Sequence, residues 1–410
     1  MRVAFFTETF LPKIDGIVVN LTHLLDHLEM RGHDSIVFAP RFKNSPKSYA
    51  NAQVVTIPAT SLFFYPELRM GQPFANVDGV LEDFDPDLIH LVNPTSLCIT
   101  GLRAAGILGV PVVASYHTDM SGFAADWNIG FTGGTIHRYY RWIHNQCDLN
   151  FTPSEFTKRE LEALDYKRIE VWKGAVDIDR FSPAKRSDAW RQKLTSGQTH
   201  LPLIIFVSRL SKEKRPDWLL PLMKDYNDVR LAFVGDGPYR EELEQIFRGT
   251  NTVFTGYLTG DELASAYAAG DLFVFNGKHE TFGNVVLEAM SCGLPAVVPD
   301  CGGVTDSVRH GYNGLQYPAD DQHAMVAAAR SLIDDPQLRQ TMGQRGRAIA
   351  ETRTWEITLD EVLDYYQRLI DQEDLQGGVH VSPLLFPYEI KPLKRLRRAI
   401  RSRDFLSRYH

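Results

Sequence analysis

The residues best suited to chemistry lie in the run Lys278-His-Glu-Thr-Phe-Gly-Asn-Val-Val-Leu-Glu-Ala-Met290. The apolar stretch Leu272–Phe275 before it reads as a strand, a loop then carries Glu280, and Gly283-Asn284 open a helix bearing Glu288. The first amides of a helix lack partners within it, and the dipole at that end favours an anion such as a diphosphate. Phe282, Gly283, Asn284 and Val285 therefore form a candidate anion-binding run. Glu280 can accept hydrogen bonds from sugar hydroxyls, and Glu288, a turn and more inside the helix, can reach a ribose. Glu288 is flanked by Val285-Val-Leu287 and Ala289-Met290, an apolar setting unusual for a solvated surface glutamate.

A second strand, loop and helix occur in Phe206-Val-Ser-Arg-Leu-Ser-Lys-Glu-Lys-Arg215. Arg209 and Lys214, five apart across the loop, can converge on one diphosphate and stabilise the charge growing on a leaving nucleotide. His117 follows a strand end in Ala114-Ser-Tyr-His-Thr-Asp119. A lone histidine is more often structural, but Asp119 beside it makes His117 a candidate catalytic group. After the first strand, Glu8-Thr-Phe-Leu-Pro-Lys-Ile-Asp-Gly16 leads into a helix. Gly16 is either a turn glycine or a point where backbone amides approach an anion. Asp177-Ile-Asp179 looks like a metal motif, but no histidine or further carboxylate cluster supports it, and no metal is expected.

These loops need a scaffold that brings strand ends together. Short apolar runs alternate with amphipathic helical stretches, the pattern of doubly wound α/β domains, whose ligands bind at the carboxyl ends of strands. Strands are expected near Val3–Phe6, Ser35–Ala39, Leu88–Leu91, Val112–Ser115, Asp148–Phe151 and Ile169–Trp172, then Leu203–Val207, Val229–Val234, Val253–Phe254, Leu272–Phe275 and Ala296–Val298. Two Rossmann-like domains facing a central cleft follow, over residues 1–181 and 182–353. A C-terminal helix over 354–375 returns towards the first domain, and 376–410 form a linker and tail. Neither a Gly-x-Gly-x-x-Gly after the first strand nor a Gly-x-x-x-x-Gly-Lys-Ser/Thr occurs, which disfavours nicotinamide dehydrogenases and P-loop nucleotidases.

The chain has 410 residues, enough for two domains of roughly 150–200 residues each. With 44% apolar and 23% charged residues it is globular in composition, not disordered. No stretch resembles a signal-peptide core or a bilayer span, so a cytoplasmic chain is expected. Cys98, Cys147, Cys292 and Cys301 show no paired spacing and read as reduced, buried thiols. The net charge of −7 is unevenly placed. Residues 391–410 carry eight Lys/Arg against one acid, leaving −14 on the other 390. Leu393, Leu396 and Ile400 recur at helical spacing among Lys394, Arg395, Arg397, Arg398 and Arg401, a short basic amphipathic helix suited to an anionic membrane surface. Nucleic acid is not an expected partner, because the acidic body would oppose approach to it.

Over residues 1–372 the sequence resembles the retaining glycosyltransferases of family 4, with GT-B architecture. Glu280…Glu288, Arg209/Lys214, Gly16 and Leu231-Ala-Phe-Val-Gly-Asp-Gly-Pro238 carry the likeness. Phe6-Thr-Glu-Thr-Phe-Leu-Pro-Lys-Ile-Asp-Gly16, Tyr65-Pro-Glu-Leu68, Ser115-Tyr-His-Thr118 and Gly256–Tyr267 resemble bacterial lipid glycosyltransferases. Two groups share these runs. His279-Glu-Thr-Phe282 and Asp119…Gly122-Phe123 lean towards α-mannosyltransferases acting on glycosylated diacylglycerol. The opening run and Ser115–Thr118 lean towards sulfoquinovosyltransferases. The resemblance implies a UDP- or GDP-linked sugar as donor and no cofactor or metal. Glu280 would hold the donor-sugar hydroxyls, Glu288 the ribose, and Arg209 and Lys214 the diphosphate, with the Gly283-Asn284 amides beside it. His117 would lie next to the transferred sugar and Gly16 near the phosphates. Same-face attack would need no protein nucleophile. A lipid acceptor is expected; a soluble or polysaccharide acceptor, or a non-catalytic sugar-nucleotide sensor, are the other readings.

Overall fold

The computed structural model describes residues 1–13, 15–62, 65–117, 130–278 and 280–376. The chain divides into two compact units. The first comprises 1–152, 161–171 and the C-terminal segment from Leu359; the second comprises 153–160 and 172–358.

The first unit contains β1 (Arg2–Thr7), β2 (Asp34–Pro40), β3 (Ser48–Tyr49), β4 (Ala52–Ile57), β5 (Ala59–Leu62), β6 (Tyr65–Gly71), β7 (Leu88–Val92), β8 (Val112–Ser115), β9 (Leu149–Thr152) and β10 (Ile169–Val171). Its helices are α1 (Gly16–Met30), α2 (Asp78–Phe84), α3 (Ser96–Leu108), α4 (Gly130–Gln146) and α5 (Glu155–Ala163), the last shared with the second unit. The sheet order is β10-β9-β8-β7-β1-β2-β4-β3, parallel except for β3 against β4. The hairpin β5–β6 stands apart, and no apolar alternation announces it.

The second unit contains α6 (Asp188–Leu194), β11 (Leu203–Val207), α7 (Leu220–Asp225), β12 (Arg230–Val234), α8 (Arg240–Ile246), β13 (Thr252–Phe254), α9 (Gly260–Ala268), β14 (Leu272–Val274), α10 (Asn284–Ser291), β15 (Ala296–Pro299), β16 (Gly314–Tyr317), α11 (Gln322–Asp334) and α12 (Pro336–Glu351). The order β13-β12-β11-β14-β15-β16 is parallel throughout. Residues of β11 and β12 alternate between two cores: Ile205, Val207, Ala232 and Val234 on one face, Ile204, Phe206, Leu231 and Phe233 on the other. A sheet covered on both faces buries every strand residue, which is why these strands read as unbroken apolar runs. Both units are thus Rossmann-like α/β layers.

Residues 172–181, grouped above with the first domain, pack in the second unit. Val176 and Phe181 are buried in its core, and Ser291 Oγ donates to the Phe181 carbonyl at 2.6 Å. The last helix, α13 (Trp355–Gln376), lies in the first unit from Leu359 onward. There Tyr366 is fully buried with its hydroxyl 2.5 Å from His90 Nδ1, while His90 Nε2 lies 3.0 Å from Ser115 Oγ. Asp360 receives His27 Nε2 at 2.7 Å and Arg31 Nη2 at 2.5 Å.

Burial holds His90 far below the usual imidazole range, down to about 3, with nearby His117 adding to the effect. Burial lowers His144 to about 4, against the opposing hydrogen bond that its Nδ1 donates to Asn150 Oδ1. Both pKa values lie below the unfolded value of about 6.5, so these two histidines take up protons more readily in the unfolded chain as pH falls below 6.5. Their stabilisation is complete above that pH and is lost progressively below it. The melting temperature should therefore fall steeply from pH 7 to pH 5, and a His144→Leu chain should show a shallower fall. A melting temperature flat across that range would overturn this account.

Candidate active site

In the second unit the chain builds outward from β11, first to β12 and β13 on one side, then to β14, β15 and β16 on the other. The loops leaving β11 and β14 consequently diverge, opening a crevice at their carboxyl ends. The β11 loop carries Arg209 and Lys214; the β14 loop carries Glu280. Across this crevice Lys214 Nζ donates to Glu280 Oε2 at 2.7 Å, each side chain being about a quarter exposed (24%). The Lys214 ammonium also lies 5.5 Å from the centroid of the Phe275 ring. Arg209 is exposed and makes no side-chain hydrogen bond or ion pair among the described residues.

At the start of α10, Gly283 holds φ +85°, and a Cβ there would come 2.6 Å from Val304 Cγ1, so a glycine is required. Among the described residues no side chain caps this helix. Val286 N donates to the Gly283 carbonyl at 2.9 Å, while the amides of Gly283, Asn284 and Val285 have no acceptor among the described residues. They leave the anion-binding end of α10 open. The Phe282 ring is 6% exposed and packs in the apolar core of this unit, so of this residue only the backbone is available to a ligand.

Glu288 is half-buried, and Tyr267 Oη donates to its Oε2 at 2.9 Å. Burial raises its carboxyl to about 7, with the Tyr267 hydrogen bond opposing the rise. Tyr267 had no assigned role in the sequence, because a fully buried tyrosine in α9 reads there only as core. Asp320 was also missed. It pairs with Lys278, and with Arg215 Nη2 at 3.3 Å, so two further cations of these loops share one carboxylate from a residue forty positions beyond Glu280. Asp177 accepts from the amides of Asp179 and Arg180 at 3.2 and 2.9 Å, which makes it a turn cap. Among the described residues no three His, Cys, Asp or Glu side chains form a metal-binding group.

In the first unit the expectation at Gly16 needs correcting. The N-cap Asp15 carboxylate accepts from Ile17 N at 3.1 Å and Val18 N at 3.0 Å, so the first turn of α1 offers an anion only the Gly16 amide. Gly16 is not in the left-handed region, and a Cβ there would meet nothing described within 4 Å; turn geometry does not require this glycine. Glu8, eight residues earlier, is 5% exposed and accepts from Gly71 N at 2.7 Å, Ser96 Oγ at 2.8 Å and Leu97 N at 2.5 Å, tying β6 to the start of α3. His117 lies two residues past β8. Burial lowers its pKa to about 4, the Asp15 charge opposes this and His144 adds to it, so the ring is neutral at pH 7. Asp119, Gly122, Phe123, His279 and the basic tail with Lys394, Arg395, Arg397, Arg398 and Arg401 lie outside the described residues. No described helix is long and apolar enough to cross a membrane.

Comparison with known proteins agrees with this geometry. Residues 14–180 match the model for Glycosyltransferase Family 4, and residues 187–349 match that for Glycosyl transferases group 1. The GDP-mannose-dependent alpha-mannosyltransferase of Mycobacterium tuberculosis is 35% identical over 383 residues, covering 92% of this chain and 99% of that protein. Sulfoquinovosyl transferase SQD2 of Arabidopsis thaliana is 31% identical over 362 residues, covering 86% of this chain and 71% of that protein. The alpha-monoglucosyldiacylglycerol synthase of Streptococcus pneumoniae is 23% identical over 432 residues, covering 98% of this chain and 96% of that protein. Among solved structures, Anabaena Alr3699/HepE in complex with UDP has the same fold, with a TM-score of 0.72 at 21% identity, covering 90% of this chain and 100% of that one. With its two Rossmann-like units matched along nearly their whole length, the chain belongs to the family 4 glycosyltransferases of GT-B fold.

Proposed function

We propose that this glycosyltransferase moves a hexose-type sugar, with retention and without a metal, from a UDP- or GDP-linked donor to a membrane lipid such as diacylglycerol or a glycosylated diacylglycerol. The observation that carries this reading is the Lys214–Glu280 pair at the strand-order switch, beside the open start of α10. A diphosphate entering the crevice competes with Glu280 for Lys214, leaving the Glu280 carboxylate to the sugar hydroxyls. Arg209, Lys214 and the amides of Gly283, Asn284 and Val285 then stabilise the negative charge left on the nucleotide as the bond from the anomeric carbon to the phosphate oxygen breaks. These two cations supply the charge neutralisation that a divalent ion supplies elsewhere. The acceptor hydroxyl oxygen bonds to the same face of the anomeric carbon, and its proton passes to the leaving phosphate oxygen. Glu288 takes the ribose.

The lipid acceptor is supported by the name of the pneumococcal relative, a glucosyldiacylglycerol synthase, and by the basic amphipathic sequence over 391–410. On this reading the protein works at the cytoplasmic face of the membrane as a peripheral protein.

Lys214→Ala and Glu280→Ala should each lower transfer about 100- to 1000-fold with an unchanged circular dichroism spectrum, the scale of losing one transition-state charge contact. Full turnover by either variant would remove that residue from the reaction. Because the Glu288 carboxyl titrates near 7, it is charged above that pH and neutral below it. Donor KM should rise as pH drops from 8 to 6, and Glu288→Gln should abolish that dependence. A wild-type KM independent of pH would count against a ribose contact by the carboxylate.

The acceptor is tested by incubating the protein, with EDTA present, with anionic vesicles containing diacylglycerol and pooled UDP- and GDP-sugars, followed by mass spectrometry of the organic extract. A glycolipid is expected, its mass gain reporting the sugar, and deletion of 391–410 should weaken flotation with those vesicles. Nucleotide release without a lipid product would move the acceptor to a soluble molecule, and loss of all release in EDTA would restore a metal.

A further inference from the structure

The Glu280 loop is fastened from behind by a closed ring of hydrogen bonds that none of the donor contacts above accounts for. The Glu280 carbonyl accepts from Gly303 N at 2.7 Å. Gly303 begins a 3-10 turn, Gly303–Asp306, after β15. The approach there is backbone on backbone: a Cβ on Gly303 would lie 2.0 Å from the Thr281 carbonyl oxygen, and one on Gly302 2.9 Å from those of Lys278 and Glu280. The same turn ends in Asp306, whose carboxylate accepts from the backbone amide of Glu155, the first residue of α5. Two residues on, Thr157 Oγ1 points back to the Glu280 loop, 3.4 Å from the Thr281 carbonyl. Ser154 Oγ orients that hydroxyl, donating to Thr157 Oγ1 at 2.8 Å and accepting from Thr157 N at 3.1 Å. Arg353 holds the far side of the turn through Ser307 Oγ at 2.8 Å and the Asp306 carbonyl at 3.0 Å.

By chain order α5 joins β9 to β10 of the first unit, yet residues 153–160, including its first turn, pack in the second. A helix end capped by a distant aspartate has its position set by that aspartate. Thr157 and Ser154 are buried, so their hydroxyls hold fixed directions.

We propose that Asp306 and the first turn of α5, through Thr157, are positioning elements for Glu280: they fix the backbone on which its carboxylate meets the donor sugar. The proposal rests on Glu280 contacting that sugar. Neither Asp306 nor Thr157 touches the donor. Their loss should therefore weaken what the sugar adds to binding and leave the nucleotide's own contribution, held by Arg209, Lys214 and the α10 amides, unchanged.

Dissociation constants for GDP, GDP-mannose, UDP and UDP-glucose, with kcat for whichever donor turns over, would be compared in Asp306→Ala, Thr157→Val and Asp306→Asn. The first two should bind the nucleoside diphosphates like the wild type, lose the extra affinity given by the sugar, and drop about tenfold in kcat. Asp306→Asn keeps an acceptor oxygen for the Glu155 amide and should recover most of both. Equal weakening of diphosphate and sugar nucleotide would mean that the ring merely supports the fold, and unchanged sugar affinity and kcat in both Asp306→Ala and Thr157→Val would overturn the proposal outright. Thr157→Val, a shape-conserving change, keeps the test alive if Asp306→Ala unfolds. Glu280→Ala separates the two levels. If it too leaves the sugar's contribution intact, the role of Glu280 itself has failed, and the positioning role falls with it.

Discussion

The chemistry of this protein depends on a constraint of parallel sheets: strands added on opposite sides of a starting strand force their outgoing loops apart at one place. In the second unit that place is the boundary of β11 and β14. Arg209 and Lys214 leave one strand and Glu280 the other, so residues 66 positions apart in sequence come within 2.7 Å. The helix after β14 begins in the same crevice with its first amides open. Cation, carboxylate and helix terminus converge because the strand order places them there, and no local sequence preference is needed to bring them together.

The backbone of this crevice is rigid while its side-chain charges are exchangeable. Gly283, Gly302 and Gly303 allow the loops after β14 and β15 to pack main chain against main chain, fixing where Glu280 begins. The Lys214–Glu280 pair is partly solvated, and pairs of that kind contribute on the order of 1 kcal/mol or less. A ligand offering two phosphate charges can replace such a partner at small cost. Glu288 is the opposite case. Its carboxyl sits among apolar groups with the Tyr267 hydroxyl on it, and its burial costs enough to lift its pKa to about 7. The unit thus pairs a loosely held cation with a carboxyl whose charge depends on pH.

Much of this was legible in the sequence because the second sheet is covered on both faces. Its strands are plain apolar runs, and the loops that matter follow them directly. The Glu280…Glu288 spacing, the Arg209/Lys214 loop and the glycine opening α10 could all be placed on the correct elements. What failed to show were contacts made over long separations. Nothing near Asp320 marks it as the partner of Lys278 and Arg215, and nothing near Asp306 marks it as the cap of α5. Phe282 sits in a motif that reads as binding, yet its ring faces the core; a motif fixes the backbone path without stating the use of every side chain in it. The hairpin β5–β6 was missed because an isolated two-stranded element imposes no clean alternation on its residues.

The two units share an architecture, and their internal electrostatics differ in a way that separates their roles. In the first unit the helix starts nearest the end of β1 are already occupied. Asp15 takes two amides of α1, and Glu8 takes Leu97 N at the start of α3 as well as Gly71 N. A diphosphate there would meet two carboxylates in place of free amides. In the second unit α10 begins on a glycine with no capping side chain, and the nearest carboxylate is held by a lysine. The second unit therefore has the helix start better suited to an anion. The first unit is left with neutral His117, the Gly16 amide and the buried Thr95 hydroxyl, which has no partner among the described residues.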